Sequence, residues 1–342
     1  MFLVGKNNDN NEFILKLKKS YYVIKIFKTK RYTFDLMKKK LFFAFAFAVF
    51  SAPIMAQFDE SSDSSFVGEG YAEEESNLVE ETFMSSRIIN GHSVEMLRKG
   101  VLEFRVEHRF GDIAGSNGGV QTLFGLDNSS DIRIAFEYGI MDNLMVGIGR
   151  SKGTGNPYTS LMDGFVKYRL LQQEKTGMPF SMVLLGTSSM SYAKASTDES
   201  MVQHYPKFSH RFAYSAQVNI ARKFGERLSV AVMPTVLHRN YVLQSDVNTL
   251  FALGGALRCG LTSKSAILLE YYHCFNPSGT RAMNTNSLGI AFEWITFGHN
   301  FTINLTNSRG FGETQFIPYT YEQWLKGQFR LGFCIGRKYQ GE

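Results

Sequence analysis

Two adjacent pairs, His92-Ser93 and Ser209-His210, are the residues here that most resemble a nucleophile beside its base. A serine hydroxyl becomes nucleophilic when an imidazole within hydrogen-bond reach takes its proton. Neighbouring residues of a strand point to opposite faces, so neither pair can make that bond while extended. A membrane-embedded lipid hydrolase of the outer-membrane phospholipase kind needs His and Ser two apart on one face. The sequence contains no His-x-Ser. That chemistry is kept only as a remote alternative, and no enzyme is expected. The seven histidines show no i, i+2 or i, i+4 spacing that would pair them as ligands. Cys259, Cys274 and Cys334 form no Cys-x-x-Cys and are too few for a complete disulfide framework. No metal and no cofactor is expected. Gly147-Ile148-Gly149 opens no helix and is not a phosphate loop.

Charges set at alternate positions carry more information. Glu103, Arg105, Glu107 and Arg109 share one face of a run whose other face is Leu102, Phe104, Val106 and Phe110. Arg133, Glu137, Lys167, Arg169, Arg211, Glu293 and Arg330 occupy the same kind of polar face elsewhere. Turned inward around a pore, such charges select solutes. Paired across strands, they fill the lumen instead, and structural pairing is the favoured expectation.

The elements that must position them are strands. Period-two alternation recurs in runs near 101–110, 132–138, 144–148, 166–170, 212–220, 288–294, 301–305 and 329–335. Four less clean runs, at 180–190, 228–238, 250–261 and 266–273, bring the number to about twelve. Connections alternate long (111–130, 151–161, 192–209, 239–248, 275–285, 307–322) and short (139–143, 172–178, 223–227, 262–265, 295–298). Transmembrane barrels combine long outer loops with short periplasmic turns, and an even strand number leaves both termini periplasmic. Aromatics at apparent strand ends (Tyr138, Tyr168, Tyr192, Phe224, Tyr272, Trp294, Trp324) suit interfacial girdles. The fold expected is all-β, a transmembrane antiparallel up-and-down barrel over 100–338. A soluble sandwich, which has no reason for strict loop alternation, is the weaker alternative.

The net charge of +6 is concentrated at one end. Residues 1–40 hold eleven Lys and Arg against three acids, which leaves 26 bases against 28 acids in the rest. The body is not a polycation, and no nucleic-acid partner is expected. Met37-Lys38-Lys39-Lys40 before an apolar stretch to Ala56 has the order of a signal peptide over 37–56, cleaved between Ala56 and Gln57. Residues 1–36 then read as a spurious or basic extension. Residues 57–86 are acidic, without Lys or Arg, and are expected to be a disordered leader. Residues 87–99 are expected to be a periplasmic segment, with Asn90-Gly91 as a turn and Ser93 capping one helical turn.

Several words in order resemble an uncharacterised family of outer-membrane β-barrels found in Bacteroidota. They are Arg87-Ile88-Ile89-Asn90-Gly91-His92-Ser93-Val94-Glu95, Glu107-His108-Arg109-Phe110-Gly111-Asp112, Phe124-Gly125-Leu126-Asp127-Asn128, Glu137-Tyr138-Gly139-Ile140, Val146-Gly147-Ile148-Gly149-Arg150 and Gly336-Arg337-Lys338. The resemblance spans 82–339 and implies a fold and a compartment, the outer membrane, but no catalytic residues. A narrow passive channel for small hydrophilic solutes is the leading functional expectation. A closed structural barrel, binding a periplasmic or envelope protein through its outer loops or acidic leader, is the alternative. Outer-membrane lipid is expected around either.

Overall fold

The computed structural model describes residues 77–128, 131–153, 159–243, 246–275 and 285–340. The expected signal peptide, its Ala56–Gln57 cleavage point and most of the acidic leader lie outside the described residues.

Alternating apolar and polar side chains can bury one face and leave the other to lipid only if the strands close on themselves, because an open edge leaves backbone groups unpaired in hydrocarbon. Twelve strands do so. They are β1 (Val101–Asp112), β2 (Asp131–Met141), β3 (Leu144–Lys152), β4 (Ser160–Leu171), β5 (Ser181–Ser191), β6 (Phe212–Phe224), β7 (Leu228–Arg239), β8 (Thr249–Gly260), β9 (Ser265–Cys274), β10 (Ser287–Thr296), β11 (His299–Thr306) and β12 (Arg330–Gln340). Each pairs antiparallel with its sequence neighbours, and β1 closes on β12 from Val101↔Gln340 to Asp112↔Arg330. The less clean runs at 180–190 and 250–261 are the full strands β5 and β8. The connection expected over 151–161 is shorter, since Lys152 already pairs with Ser160.

Burial follows the pleat. In β2, Asp131, Arg133, Ala135 and Glu137 are buried, while Ile134, Phe136 and Tyr138 are exposed. In β7 the buried set is Ser229, Ala231, Met233, Thr235, Leu237 and Arg239, and the exposed set includes Val232 and Val236. The outward residues form the lipid-facing surface. One expected girdle residue is corrected: Tyr272 is 1% exposed and points inward. β9 carries Tyr271 and Tyr272 side by side, and the inward face runs Ala266, Leu268, Glu270, Tyr272, Cys274. Two adjacent aromatics left the face ambiguous in the sequence. Cys259, Cys274 and Cys334 are free thiols.

Lipid-facing position Ile148, in the middle of β3, pairs with Phe136 and Gly164 and is 56% exposed. Ile148→Arg is expected to lower stability by about 2–4 kcal/mol. Chemical denaturation in phospholipid vesicles measures this, with Ser116→Arg on the β1–β2 connection expected to change nothing.

Candidate functional site

Two segments enter the ring, and both are held by its inward side chains. The first is 82–98. Its residues 82–94 are buried and fold as a hairpin closed by the Arg87↔His92 bridge, with the Ile88 N–H donating to the Gly91 carbonyl at 2.9 Å. The expected Asn90-Gly91 turn is its tip. Gly91 has no room for a Cβ, because the Tyr272 hydroxyl lies against it. The second segment is the β11–β12 connection, where Ser308, Phe311, Glu313, Thr314, Gln315, Phe316, Ile317 and Thr320 are buried around a single helical turn, Glu313–Phe316.

This placement differs from the sequence reading at three points. Residues 87–97 lie within the barrel rather than ahead of it, and Arg98 and Lys99 are exposed. Residues 77–86, expected in the acidic leader, are also engaged: Val79 N–H bonds the Gln173 carbonyl at 2.8 Å, and Thr82 to Ser86 are buried. The apolar residues Phe83, Ile88, Ile89, Val94 and Leu97 drive the segment inward, and the acidic composition around it masked that signal. Ser93 caps no helix. Its hydroxyl donates to the Ser85 carbonyl at 2.5 Å and accepts the Glu95 N–H at 3.0 Å, a local turn that competes with helix formation.

The wall charges grip the hairpin's backbone as well as its side chains. Glu270 accepts three successive backbone N–H groups, from Ile89 (3.1 Å), Asn90 (2.9 Å) and Gly91 (3.0 Å). Lys167 donates to the carbonyls of Ser86 (3.1 Å) and Glu95 (2.6 Å), and Asn219 to those of His92 (2.8 Å) and Ser93 (3.1 Å). Glu137 accepts the Ser86 hydroxyl at 2.7 Å and faces Arg87 at 3.6 Å. Arg109 reaches both segments, donating to the Asn90 side-chain oxygen and to the carbonyls of Ser308 (2.8 Å) and Gly310. Arg87 in turn donates to the Phe311 carbonyl at 2.9 Å, tying hairpin to loop.

Several other wall charges neutralise one another. Arg105 lies 3.1 Å from Glu103 and 3.6 Å from Glu107, and donates to Ser85 at 2.9 Å. Arg133 sits between Glu107 (2.7 Å) and Asp163 (2.6 Å). Glu293 accepts from Asn300 at 3.1 Å. Three candidates are rim groups instead. Arg169 donates to Gln172, Arg211 to the carbonyls of Ser191 and Ala193, and Arg330 to the Phe110 carbonyl and to Glu322. Arg87, Asn219, Glu270 and Glu313 were missed by sequence reasoning. Glu270 lay in an unclear run, and the others wait on the hairpin's position.

Opposite the charged wall the lumen is apolar. Phe83, Ile88, Ile89 and Val94 of the hairpin and Phe316 and Ile317 of the loop pack on Val183, Ala231, Met233, Leu237, Leu250, Ala252 and Leu268. Tyr272 joins the two surfaces, meeting Phe316 edge-on at 4.9 Å and accepting a bond from Gln217 at 3.1 Å. Neither serine pair forms a nucleophile and base. Ser93 is bonded to Ser85, neither His92 ring nitrogen has a hydrogen-bond partner, and His210 of the β5–β6 connection stacks on Tyr241 of the β7–β8 connection. Burial raises the Glu95 and Glu313 carboxyls above the ordinary range. It lowers His92 well below its own, and Arg87 and Lys167 add to that.

The family model described as "Membrane bound beta barrel domain (DUF5777)" matches residues 83–339. The chain belongs to this family. The match begins at Phe83, so the hairpin is part of the domain and not an appendage. No curated protein matches the chain. Among solved structures, the chain is similar to the NanC porin, with 9% identity, TM-score 0.42, and 70% of this chain and 100% of that one covered. The KdgM porin gives 8%, 0.40, 71% and 99%, and an outer-membrane channel from Pseudomonas putida F1 gives 13%, 0.40, 72% and 98%.

Glu270→Ala is expected to leave three buried amides without an acceptor. Each unsatisfied buried donor costs about 1–3 kcal/mol before water enters. Hydrogen exchange at Ile89, Asn90 and Gly91 should therefore accelerate by at least tenfold, while exchange in β1 and β12 stays slow.

Proposed function

We propose that this membrane-bound barrel is a gated passive channel for small hydrophilic solutes, closed in the arrangement described. The observation that carries this reading is the attachment of the 82–98 hairpin. It fills the lumen but contributes no strand to the ring, and ion pairs and hydrogen bonds join it to the wall. Bonds of that kind exchange readily with water, so the hairpin can leave without opening the wall. The groups it would uncover, among them Arg105, Arg109, Glu137, Lys167 and Glu270, are those that hydrate and select a polar solute. The outer membrane of a Bacteroidota-type envelope, with the short turns and both chain ends on the periplasmic side, belongs to this reading. The family description supports the membrane, and the long and short connections support the orientation. Among the described residues, neither His92-Ser93 nor Ser209-His210 pairs a nucleophile with a base, which supports a non-enzymatic role.

A second reading is a barrel that stays shut and serves a protein partner. It is favoured by the extent of the fill, since the hairpin and the β11–β12 connection bury side chains from opposite walls. One experiment separates the two. In planar bilayers the native protein is expected to show rare openings. Arg87→Ala with Glu137→Ala, which removes one anchor without leaving half of an ion pair, is expected to raise open probability by tenfold or more. A barrel that stays silent although exchange shows its hairpin released would overturn the channel reading.

A further inference from the structure

His92 sits at the junction of the three things that must part for the lumen to clear. Its carbonyl accepts from Asn219 of β6, and its N–H donates to Glu313 of the second segment. Its ring lies edge-on to Phe165 of β4, with centroids 4.5 Å apart. The side chain is fully buried, and neither ring nitrogen has a hydrogen-bond partner. An uncharged imidazole tolerates that setting. An imidazolium would carry two buried N–H donors with nowhere to place them.

The charged groups around it come from every packed element. The hairpin contributes Arg87 and Glu95, β1 contributes Arg105 with Glu103 and Glu107, and β2 contributes Arg133 and Glu137. β4 contributes Lys167, β9 Glu270 and the β11–β12 connection Glu313. Of the carboxylates, Glu107 and Glu137 are engaged with arginines, Glu270 with the hairpin backbone and Glu313 with the His92 N–H. Four cations act on the ring in the same direction.

We infer that His92 is a proton-operated latch: its neutral form lets the hairpin dock, and protonation in mild acid drives the hairpin out of the lumen. This rests on the gated-channel reading for its consequence but not for its test. The sign follows from linkage. A released hairpin exposes an ordinary imidazole, which titrates near 6.5, whereas the docked one resists protonation. Above about pH 6.5 docking is unaffected, and below it the docked state is disfavoured by up to about tenfold per pH unit. Glu95 and Glu313 work in the other direction, because acid neutralises carboxylates whose burial is unfavourable when charged. A comparison of variants that keep both glutamates cancels their contribution.

The test is hydrogen exchange of Ile88 to Ser93 in the full chain in detergent micelles, at pH 6.5 and 5.0, corrected for intrinsic exchange. His92→Phe keeps an aromatic ring against Phe165 and cannot titrate, and His92→Gln serves if the phenyl ring does not dock. The opening equilibrium of the native protein is expected to rise by up to about 15-fold more than that of the variant over this range. Equal pH dependence in native and variant protein would overturn the latch. Acid release of the hairpin without conductance would overturn the channel reading and leave the latch standing.

Discussion

Arg133 lies between Glu107 and Asp163 with 1% of its surface exposed, and Arg105 lies between Glu103 and Glu107 with 2%. Charges removed from water are stable only when paired and hydrogen-bonded. An eight-stranded barrel fills its bore with side chains, and one of 16–18 strands leaves an aqueous channel. Twelve strands fall between, so cross-strand pairing alone leaves wall groups such as Lys167 and Glu270 facing space. Their partners come from backbone amides and carbonyls that no strand supplies. The need to compensate these charges explains why a hairpin with its own bonding groups runs through the ring.

The two sides of the bore ask different things of that hairpin. β1, β2 and β4 offer charge, and they are met by Ser85, Ser86, Arg87 and carbonyl oxygens. β5, β7, β8 and β9 offer Val183, Met233, Leu237, Leu250 and Leu268, and they are met by Phe83, Ile88, Ile89 and Val94. A segment with both faces can sit in only one rotation about its own axis. The β11–β12 connection then seals the remaining space, with Phe316 on Tyr272 and Phe311 beneath Arg109 at 4.6 Å.

This division also explains what could be read from the sequence. Strands with a polar inward face alternate cleanly, so β1, β2, β6, β10 and β11 were legible. The four unclear runs became β5, β7, β8 and β9, whose inward faces carry apolar residues such as Val183, Leu185, Met233, Leu237, Leu250 and Leu268 among the polar ones, because they face the hairpin and not water. Alternation fades when both faces of a strand are hydrophobic, as in strands buried on both sides. Tyr272 was placed outward for the same reason. The hairpin itself was hidden by composition. Acidic residues up to Glu81 suggest disorder, and seven apolar residues spaced irregularly over 83–97 show neither strand nor helix period. Their partners lie far along the chain, at Met145, Phe165, Val183 and beyond, where no local pattern records them.

The same asymmetry bears on how firmly the lumen is closed. Polar anchors such as Glu270 and Lys167 contribute less net stability than their number suggests, because a vacated lumen would fill with water and hydrate them. The apolar contacts have no such substitute, and each buried Phe or Ile side chain contributes about 1.5–3 kcal/mol relative to exposure. Docking strength is therefore set on the β5–β9 side, and the charged wall sets position and register. A charge introduced on the hairpin acts differently from a lost anchor, since in the docked state it finds Glu107, Glu137 and Glu270 already engaged. His92 lies where that difference is largest, between the Phe165 ring and a set of cations. The hairpin can therefore be held by its apolar contacts, be positioned by many weak polar bonds, and still answer to the protonation of one side chain.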